Sequence, residues 1–464
     1  MGFLILAARL FELQLIKGVY YRTLSEENRI RHIPIPADRG KVLARGGEVL
    51  EGREFAHIIG FASEANEDEV GKIDPSCPGK GPVSLGQKVG RGGLNQEYNC
   101  VLSGVDGEEL IEVDTSGEKI RTLGIKNPIT GEDIHTTIDY SLQKKAVEAF
   151  GDKKGAVVAT DPKGEVLVFY SGPSFDPKNV KEYLEDKDLP FFNRVIGGTF
   201  HPGSVFKPVV AVAALEEEKI DKNYRFTDTG ILEVKTLYGD FSYANWYFTQ
   251  YGRTEGVVDL TRAIARSTDT FFYTIGEAVG PEKIAEYAGK LGLDKKTGID
   301  IPGEVAGLIP TPEWKQKVKN ENWFLGNTYH LSIGQGDIAV TPLALNQTIS
   351  AIATGSYCKP HLVGEEKCEK LNFKEDNLDL IKEGMRQACA TGGTGYTFFD
   401  YPDPVSCKTG TAEVGTDGDT HAWFTLFGND LTLTVLVEKG GEGSRVAGPI
   451  AREIMNFVRL LKNP

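Results

Sequence analysis

His201-Pro-Gly-Ser-Val-Phe-Lys207 runs directly into the apolar stretch Pro208-Val-Val-Ala-Val-Ala-Ala-Leu215. Pro-Gly marks a chain reversal, and the apolar run predicts a buried helix behind it. Ser204 therefore stands at a helix N-terminus, where backbone N–H groups and the helix dipole favour developing negative charge. Lys207, three residues on, shares its face. The pair reads as S-x-x-K: a hydroxyl with an amine beside it that can take its proton.

S-x-x-K alone is a weak pattern. It also occurs at Ser116-Gly-Glu-Lys119, Ser141-Leu-Gln-Lys144 and Ser356-Tyr-Cys-Lys359. Their contexts are a polar loop, the start of a charged helix, and a loop before Pro360. Two further strings follow Ser204 in a fixed order: Ser267-Thr-Asp269 (S-x-D) and Lys408-Thr-Gly410 (K-T-G). Each has a decoy, Ser174-Phe-Asp176 and Lys296-Thr-Gly298. Lys408-Thr-Gly-Thr411 follows the extended Val405-Ser-Cys407 and reads as an edge strand. Its glycine permits close approach of a ligand to the backbone. Lys296 instead leads into a loop. The ordered trio S-x-x-K, S-x-D and K-T-G, in these settings, points to serine acyl transfer with lysine as base.

Size and charge narrow the class. The 464 residues carry 52 Lys and Arg against 66 Asp and Glu, a formal net charge of −14. No basic run is present, which argues against a nucleic-acid partner. Six cysteines show no C-x-x-C spacing, and the span between His201 and His330 holds no histidine or cysteine, so no metal site and no cofactor are expected. In an exported protein some cysteines could pair, Cys358 with Cys368 being the nearest candidates.

Residues 1–28 read as a helix. Gly2 to Ala8 is apolar but far short of the roughly twenty residues a membrane span needs. The end of a membrane anchor and a short amphipathic helix both fit, and no signal-peptide cleavage pattern follows. Residues 29–135 read as a small, mainly β region. It includes a loop at Asp74-Pro-Ser-Cys-Pro-Gly-Lys-Gly-Pro82 and a hairpin across Thr115-Ser-Gly117. From 136 onward a helix (Tyr140 to Phe150) precedes the hairpin Gly155–Thr160 and Gly164–Tyr170. Helices are expected over most of 203–390. Ala422–Phe427 and Leu431–Glu438 predict a last hairpin, and Pro449 to about Leu461 a last helix. The expected fold is α+β: one antiparallel sheet carrying a helical insert.

The trio, together with Asn28-Arg-Ile-Arg31, Pro36-Ala-Asp-Arg-Gly40, Ser171-Gly-Pro-Ser-Phe-Asp176, Leu331-Ser-Ile-Gly-Gln-Gly336, Thr341-Pro-Leu343 and His421-Ala-Trp-Phe424, resembles the class B penicillin-binding proteins. The S-x-D form with Thr270-Phe-Phe-Tyr273 is most similar to the elongation-type branch. The resemblance implies an N-terminal helix (1–28), a reduced pedestal domain (29–135) and a penicillin-binding transpeptidase domain (136–464). It implies a serine D,D-transpeptidase that cross-links peptidoglycan stem peptides ending in D-Ala-D-Ala and is inhibited covalently by β-lactams. Ser204 would be nucleophile, Lys207 base, Ser267 proton relay and Lys408 the second cation. Asp269, where the family commonly has Asn, would orient Lys207. Thr409, Gly410 and Thr411 would bind substrate. The backbone N–H groups of Ser204 and Thr411 would form the oxyanion hole. The resemblance further implies a place in the cell membrane with the catalytic domain on the outer face, and a polytopic membrane glycosyltransferase as partner. Ala44-Arg-Gly-Gly47 departs from the family's usual Asp-Arg-Asn-Gly.

Two other functions compete: a β-lactamase-like hydrolase or β-lactam sensor on the same fold, and a partner module without chemistry. The pedestal is unnecessary for a soluble hydrolase, and the intact trio argues against lost chemistry. His421 and Cys407 read as structural strand residues, and Trp314 and Trp323 as packing residues rather than a sugar platform.

Overall fold

The computed structural model describes residues 2–236, 239–415 and 418–462. Met1 and the Asn463-Pro464 end of the expected catalytic region lie outside the described residues. The chain divides into two compact units. The larger comprises 43–61, 91–97 and 135–464; the smaller comprises 1–42, 62–90 and 98–134.

The larger unit is built on five antiparallel strands in the order Ser406–Val414, Asp419–Gly428, Leu431–Val437, Gly155–Thr160, Val166–Gly172. Leu431-Thr-Leu-Thr-Val-Leu-Val437 is buried along its whole length because both faces of the sheet are covered. Leu431, Leu433, Val435 and Val437 join a core with the helices Tyr140–Phe150 and Gly443–Lys462. Each buried Leu or Val contributes about 2 kcal/mol. Against the sheet lies the helix Pro342–Thr354, entered through Thr341, whose side chain caps Ala344 N–H. From it Asn346 Nδ2 donates to Val158 O at 3.3 Å and Thr432 O at 3.1 Å, while its Oδ1 accepts from Thr160 Oγ1 at 2.7 Å. Those bonds satisfy a buried amide that would otherwise destabilise the sheet–helix contact.

The insert between the first and last strand pairs is helical but not wholly so. Ile231–Thr236 pairs with Gly239–Ala244, Phe226–Asp228 with Gly256–Val258, and Ser356–Cys358 with Cys368–Lys370. Ser356-Tyr-Cys358, expected as loop, is a strand closed at its end by the Cys358–Cys368 disulfide. The last helix begins at Gly443, six residues before the expected Pro449. There tertiary packing overrides the proline. Ala447, Ile450, Ala451, Ile454, Met455 and Val458 form one buried face on the sheet, so the single backbone bond lost at Pro449 is outweighed.

In the smaller unit Ile30–Ile35, Gly107–Val113 and Lys119–Lys126 form an antiparallel sheet. Its hairpin turns where Asp114 Oδ1 accepts from the backbone N–H of Ser116 and Glu118. The N-terminal helical stretch runs through Gly2–Phe11, Glu12–Ile16 and Gly18–Arg29, and Phe3, Leu4, Ile5 and Leu6 are exposed. No helix of the described residues is long and apolar enough to cross a membrane. The residues flanking the segment 74–82 are joined by backbone bonds, Gly71 N–H to Val83 O and Val83 N–H to Lys72 O.

Candidate active site

Ser204 lies in the single turn Gly203–Phe206 that opens into the buried helix Lys207–Glu216. Gly203 has φ +57°, and its N–H donates to Gly334 O at 2.8 Å. A Cβ on Gly334 would lie 2.1 Å from Gly203 O, so Leu331-Ser-Ile-Gly334 can press backbone onto the serine turn only as glycine. Trp423 Nε1 donates to His201 O at 2.9 Å from the other side. Ser204, thus pinned, is half-buried and lines a cavity of about 820 Å³.

Lys207 is fully buried, and its three ammonium donors go to Ser267 O at 2.8 Å, Ser267 Oγ at 3.0 Å and Asp269 Oδ1 at 2.6 Å. No bond from Lys207 Nζ to Ser204 Oγ is formed among the described residues. Ser267 ends the helix Leu260–Arg266 in the left-handed region, φ 55° and ψ 40°. For a non-glycine residue that conformation costs on the order of 1 kcal/mol. It turns Ser267 back toward Lys207 before the next helix, Asp269–Val279, begins.

Lys408 comes from the edge strand and is also fully buried. Its Nζ donates to Ser267 Oγ at 2.9 Å and to Thr409 O at 3.0 Å. Thr409 Oγ1 donates to Thr394 Oγ1 at 2.9 Å, and Thr411 Oγ1 accepts from Gly443 N–H at 3.3 Å. Ser267, Thr409 and Thr411 line the same cavity as Ser204. Gly410 packs against the serine turn. A Cβ there would meet Pro202 O at 2.9 Å and Val205 Cγ1 at 3.0 Å. Its missing side chain makes room for the serine turn.

Burial is the main cause that pushes Lys207 below the usual lysine range, against the upward pull of Asp269. Lys408 is pushed well below it, by burial first and then by the positive charge of Lys207. Two ammonium groups meeting on one buried hydroxyl repel each other, so the cluster favours a neutral amine on one of them.

Sequence reasoning missed the residues that hold Asp269. Its Oδ2 accepts from Trp246 N–H at 2.9 Å, and its N–H donates to Asn245 Oδ1 at 3.1 Å. Buried Asn245 donates in turn to Asp228 Oδ2 at 3.0 Å. Asp228 Oδ1 accepts from Thr270 Oγ1 at 2.7 Å. These partners come from separate elements, and no spacing rule links them. Cys407, beside Lys408, forms a disulfide with Cys389, a pairing the sequence reading did not consider. His421, edge-on to Phe200 and accepting from Lys439 N–H, has its pKa pushed down to about 4, chiefly by burial, and is neutral. Trp323 Nε1 donates to Thr328 Oγ1, and Lys319 lies over the Trp314 ring. The decoys take turn and loop roles: Ser116 bonds to Asp114, Ser174 to Arg53 O, and Thr297 to Glu304.

A family model described as the penicillin binding protein transpeptidase domain matches residues 155–456. The chain belongs to the penicillin-binding protein family. A second model, the penicillin-binding protein dimerisation domain, matches residues 50–136. Among curated relatives, the peptidoglycan D,D-transpeptidase MrdA of Acinetobacter baumannii is 33% identical over 386 residues, covering 78% of this chain and 55% of its own length. That of Haemophilus influenzae is 32% identical over 452 residues, covering 88% and 68%. The chain thus spans little more than half the first relative and about two thirds of the second. A structure of Pseudomonas aeruginosa PBP2 in complex with WCK 5153 superposes with a TM-score of 0.78 at 30% identity, covering 92% of this chain and 96% of that one. A structure described as coordinating polymerization and crosslinking by a peptidoglycan synthase complex gives 0.78 at 27% identity, covering 98% and 96%. Within the penicillin-binding proteins, the two curated relatives carry the MrdA name and the Pseudomonas structure the PBP2 name.

Proposed function

We propose that the protein is a serine peptidoglycan D,D-transpeptidase that forms an acyl-enzyme on Ser204 and is acylated by β-lactams. The observation that carries this reading is the meeting of two buried lysines on the Ser267 hydroxyl, beside the cavity that Ser204 lines. Ser204 Oγ bonds to the carbonyl carbon of the penultimate D-Ala while its proton passes to neutral Lys207. The N–H groups of Ser204 and Thr411 hold the oxyanion, each donor contributing about 3 kcal/mol. The C–N bond to the terminal D-Ala then breaks, and Ser267 relays the proton from Lys207 to the leaving nitrogen. An amine of a neighbouring stem peptide next attacks the ester carbonyl and regenerates Ser204. Lys408, Thr409 and Thr411 bind the terminal carboxylate, Gly410 contributes its backbone, and Asp269 orients Lys207.

The domain assignment that goes with this activity is an N-terminal helix over 1–28, a pedestal over 29–135 and the transpeptidase domain from 136. The catalytic domain works on the outer face of the cell membrane, a placement favoured by two disulfides and by the exposed apolar residues of the N-terminal helix. The proposed partner is a polytopic membrane glycosyltransferase, in line with the likeness to a structure described as a peptidoglycan synthase complex.

The test is cross-linking of freshly polymerised glycan strands bearing D-Ala-D-Ala stem peptides. Cross-linked dimers with matching release of D-Ala, both absent in Ser204→Ala, are expected. Folded protein that cross-links nothing beside an active glycosyltransferase overturns the proposal.

A further inference from the structure

Beyond Thr411 the strand Ser406–Val414 brings one more side chain to the cavity, Glu413. Side chains alternate along a strand, so Thr409, Thr411 and Glu413 share a face, and all three line the cavity with Ser204. Its lining carboxylates are Asp269, Glu413 and Glu442. Asp269 is committed to Lys207 Nζ at 2.6 Å and Trp246 N–H at 2.9 Å, and Glu442 to Arg445 Nε at 2.9 Å. Lining Arg266 is likewise taken, by Glu255 at 2.7 Å. The Glu413 side chain is exposed and makes no hydrogen bond or ion pair among the described residues, with lining Arg253 or any other cation. An unpaired carboxylate on the wall of a substrate cavity is a ready partner for a cationic group of the ligand.

The direction of the donor peptide follows from the transpeptidase reading, on which this inference rests. Its terminal carboxylate sits at the Lys408–Thr409 end of the strand, and its reacting carbonyl at the Thr411 N–H. The rest of the peptide then runs toward Glu413. Two strand residues span about 7 Å. From the reacting carbonyl carbon back to the preceding Cα is about 5 Å of extended chain. The residue before D-Ala-D-Ala thus comes abreast of Glu413. We infer that Glu413 binds a free side-chain ammonium on that residue of the donor stem. The contact acts on donor binding, ahead of acylation, and adds no covalent step. It selects donors whose amine is unspent. A stem that has already served as acceptor carries an uncharged amide there and loses the ion pair.

The test is protection of Ser204 from a fluorescent penicillin by two soluble peptides ending in D-Ala-D-Ala. One carries a free side-chain amine on the residue before D-Ala-D-Ala, and the other carries the same amine acetylated. The full chain is used, and the concentration of each peptide that halves the labelling rate is measured. The free-amine peptide is expected to protect at about one fifth the concentration of the acetylated one, since an ion pair open to water is worth about 1 kcal/mol. The ratio should shrink as salt is added. Glu413→Gln should bring it to about one, Glu413→Lys should invert it, and Glu413→Asp should keep part of it. Because each ratio compares two peptides on one variant, a change in that variant's own labelling rate cancels. Labelling of Ser204 with neither peptide protecting, with both protecting equally, or with the preference intact in Glu413→Gln overturns this inference alone. A folded wild-type chain that takes no label overturns the transpeptidase reading with it.

Discussion

Lys207 and Lys408 bond to the same oxygen, the hydroxyl of Ser267, at 3.0 Å and 2.9 Å. A serine oxygen has two acceptor sites, and both are occupied by lysines that are wholly buried. Full charge on both amines is disfavoured twice, by desolvation and by repulsion. Chain segments about 140 residues apart, the separation being 141, converge there to keep an amine neutral near Ser204.

Acylation by a penicillin should rise with pH through a midpoint below the ordinary lysine value of 10.5, because the deprotonated base is the reactive form and burial favours it. Asp269 favours the ammonium form. Asp269→Asn should therefore shift the midpoint to lower pH while lowering the plateau on the order of tenfold, through loss of a charge-assisted bond. Second-order acylation rates from about pH 5 to about pH 10 check both effects.

Asn245 carries the position of Asp269 without lining the cavity chemistry itself. Asn245→Ala would strand the Asp269 N–H and take one of several donors from the buried Asp228 carboxylate, destabilising the fold by about 2 kcal/mol. Denaturant unfolding measures the first effect. A slower acylation rate at matched folded fraction measures the displacement of Asp269, and an unchanged rate would show that Asp269 needs no such support.

How much of this was legible in the sequence follows from the distance over which each signal acts. Ser204, Lys207, Ser267, Asp269 and Lys408 carry short patterns beside turns and apolar runs, and the structure gathers Lys207, Ser267, Asp269 and Lys408 beside the cavity that Ser204 lines. The sheet was equally local: Gly155–Thr160 and Leu431–Val437 are apolar runs bounded by turns. Asn245, Trp246 and Thr394 matter only through contacts made across the fold, so no periodicity announces them. The hairpin Ile231–Thr236 with Gly239–Ala244 lies inside a region whose average composition is helical, which hid it. Pro449 misled because a helix start is its usual place, and here a buried apolar face outweighs that preference.

The Cys389–Cys407 disulfide ties the end of the helix Glu375–Ala388 to the strand one residue before Lys408, and the intervening Gly393, Thr394 and Tyr396 line the cavity. Replacing both cysteines by serine should cost about 3 kcal/mol of stability for a closed loop of 18 residues. It should also slow acylation, since Thr394 and Lys408 lose their common anchor. The matching Cys358→Ser, Cys368→Ser pair, remote from the cavity lining, should leave the acylation rate unchanged. Thermal melts and acylation rates of the two double variants make the comparison.

His57 is fully enclosed beside Phe175, and burial pushes its pKa down to about 4 from 6.5. The unfolded chain binds a proton there in the window between those values and the folded chain does not. Stability is therefore full above about 6.5 and falls as pH drops toward 4, by about 3 kcal/mol from this group. His57→Leu should flatten the acid limb of a stability–pH curve measured by denaturant unfolding.

The central claim is that Ser204 is the acyl acceptor in a lysine-activated cluster. The most direct measurement is the mass and lifetime of the adduct formed with a fluorescent penicillin, mapped to a residue and followed for hours after free label is removed. A long-lived adduct on Ser204, absent in folded Ser204→Ala, is the predicted result. Label lost rapidly with hydrolysed drug would make the protein a β-lactamase. A folded wild-type chain with no adduct, or one labelled at another residue, would contradict the account.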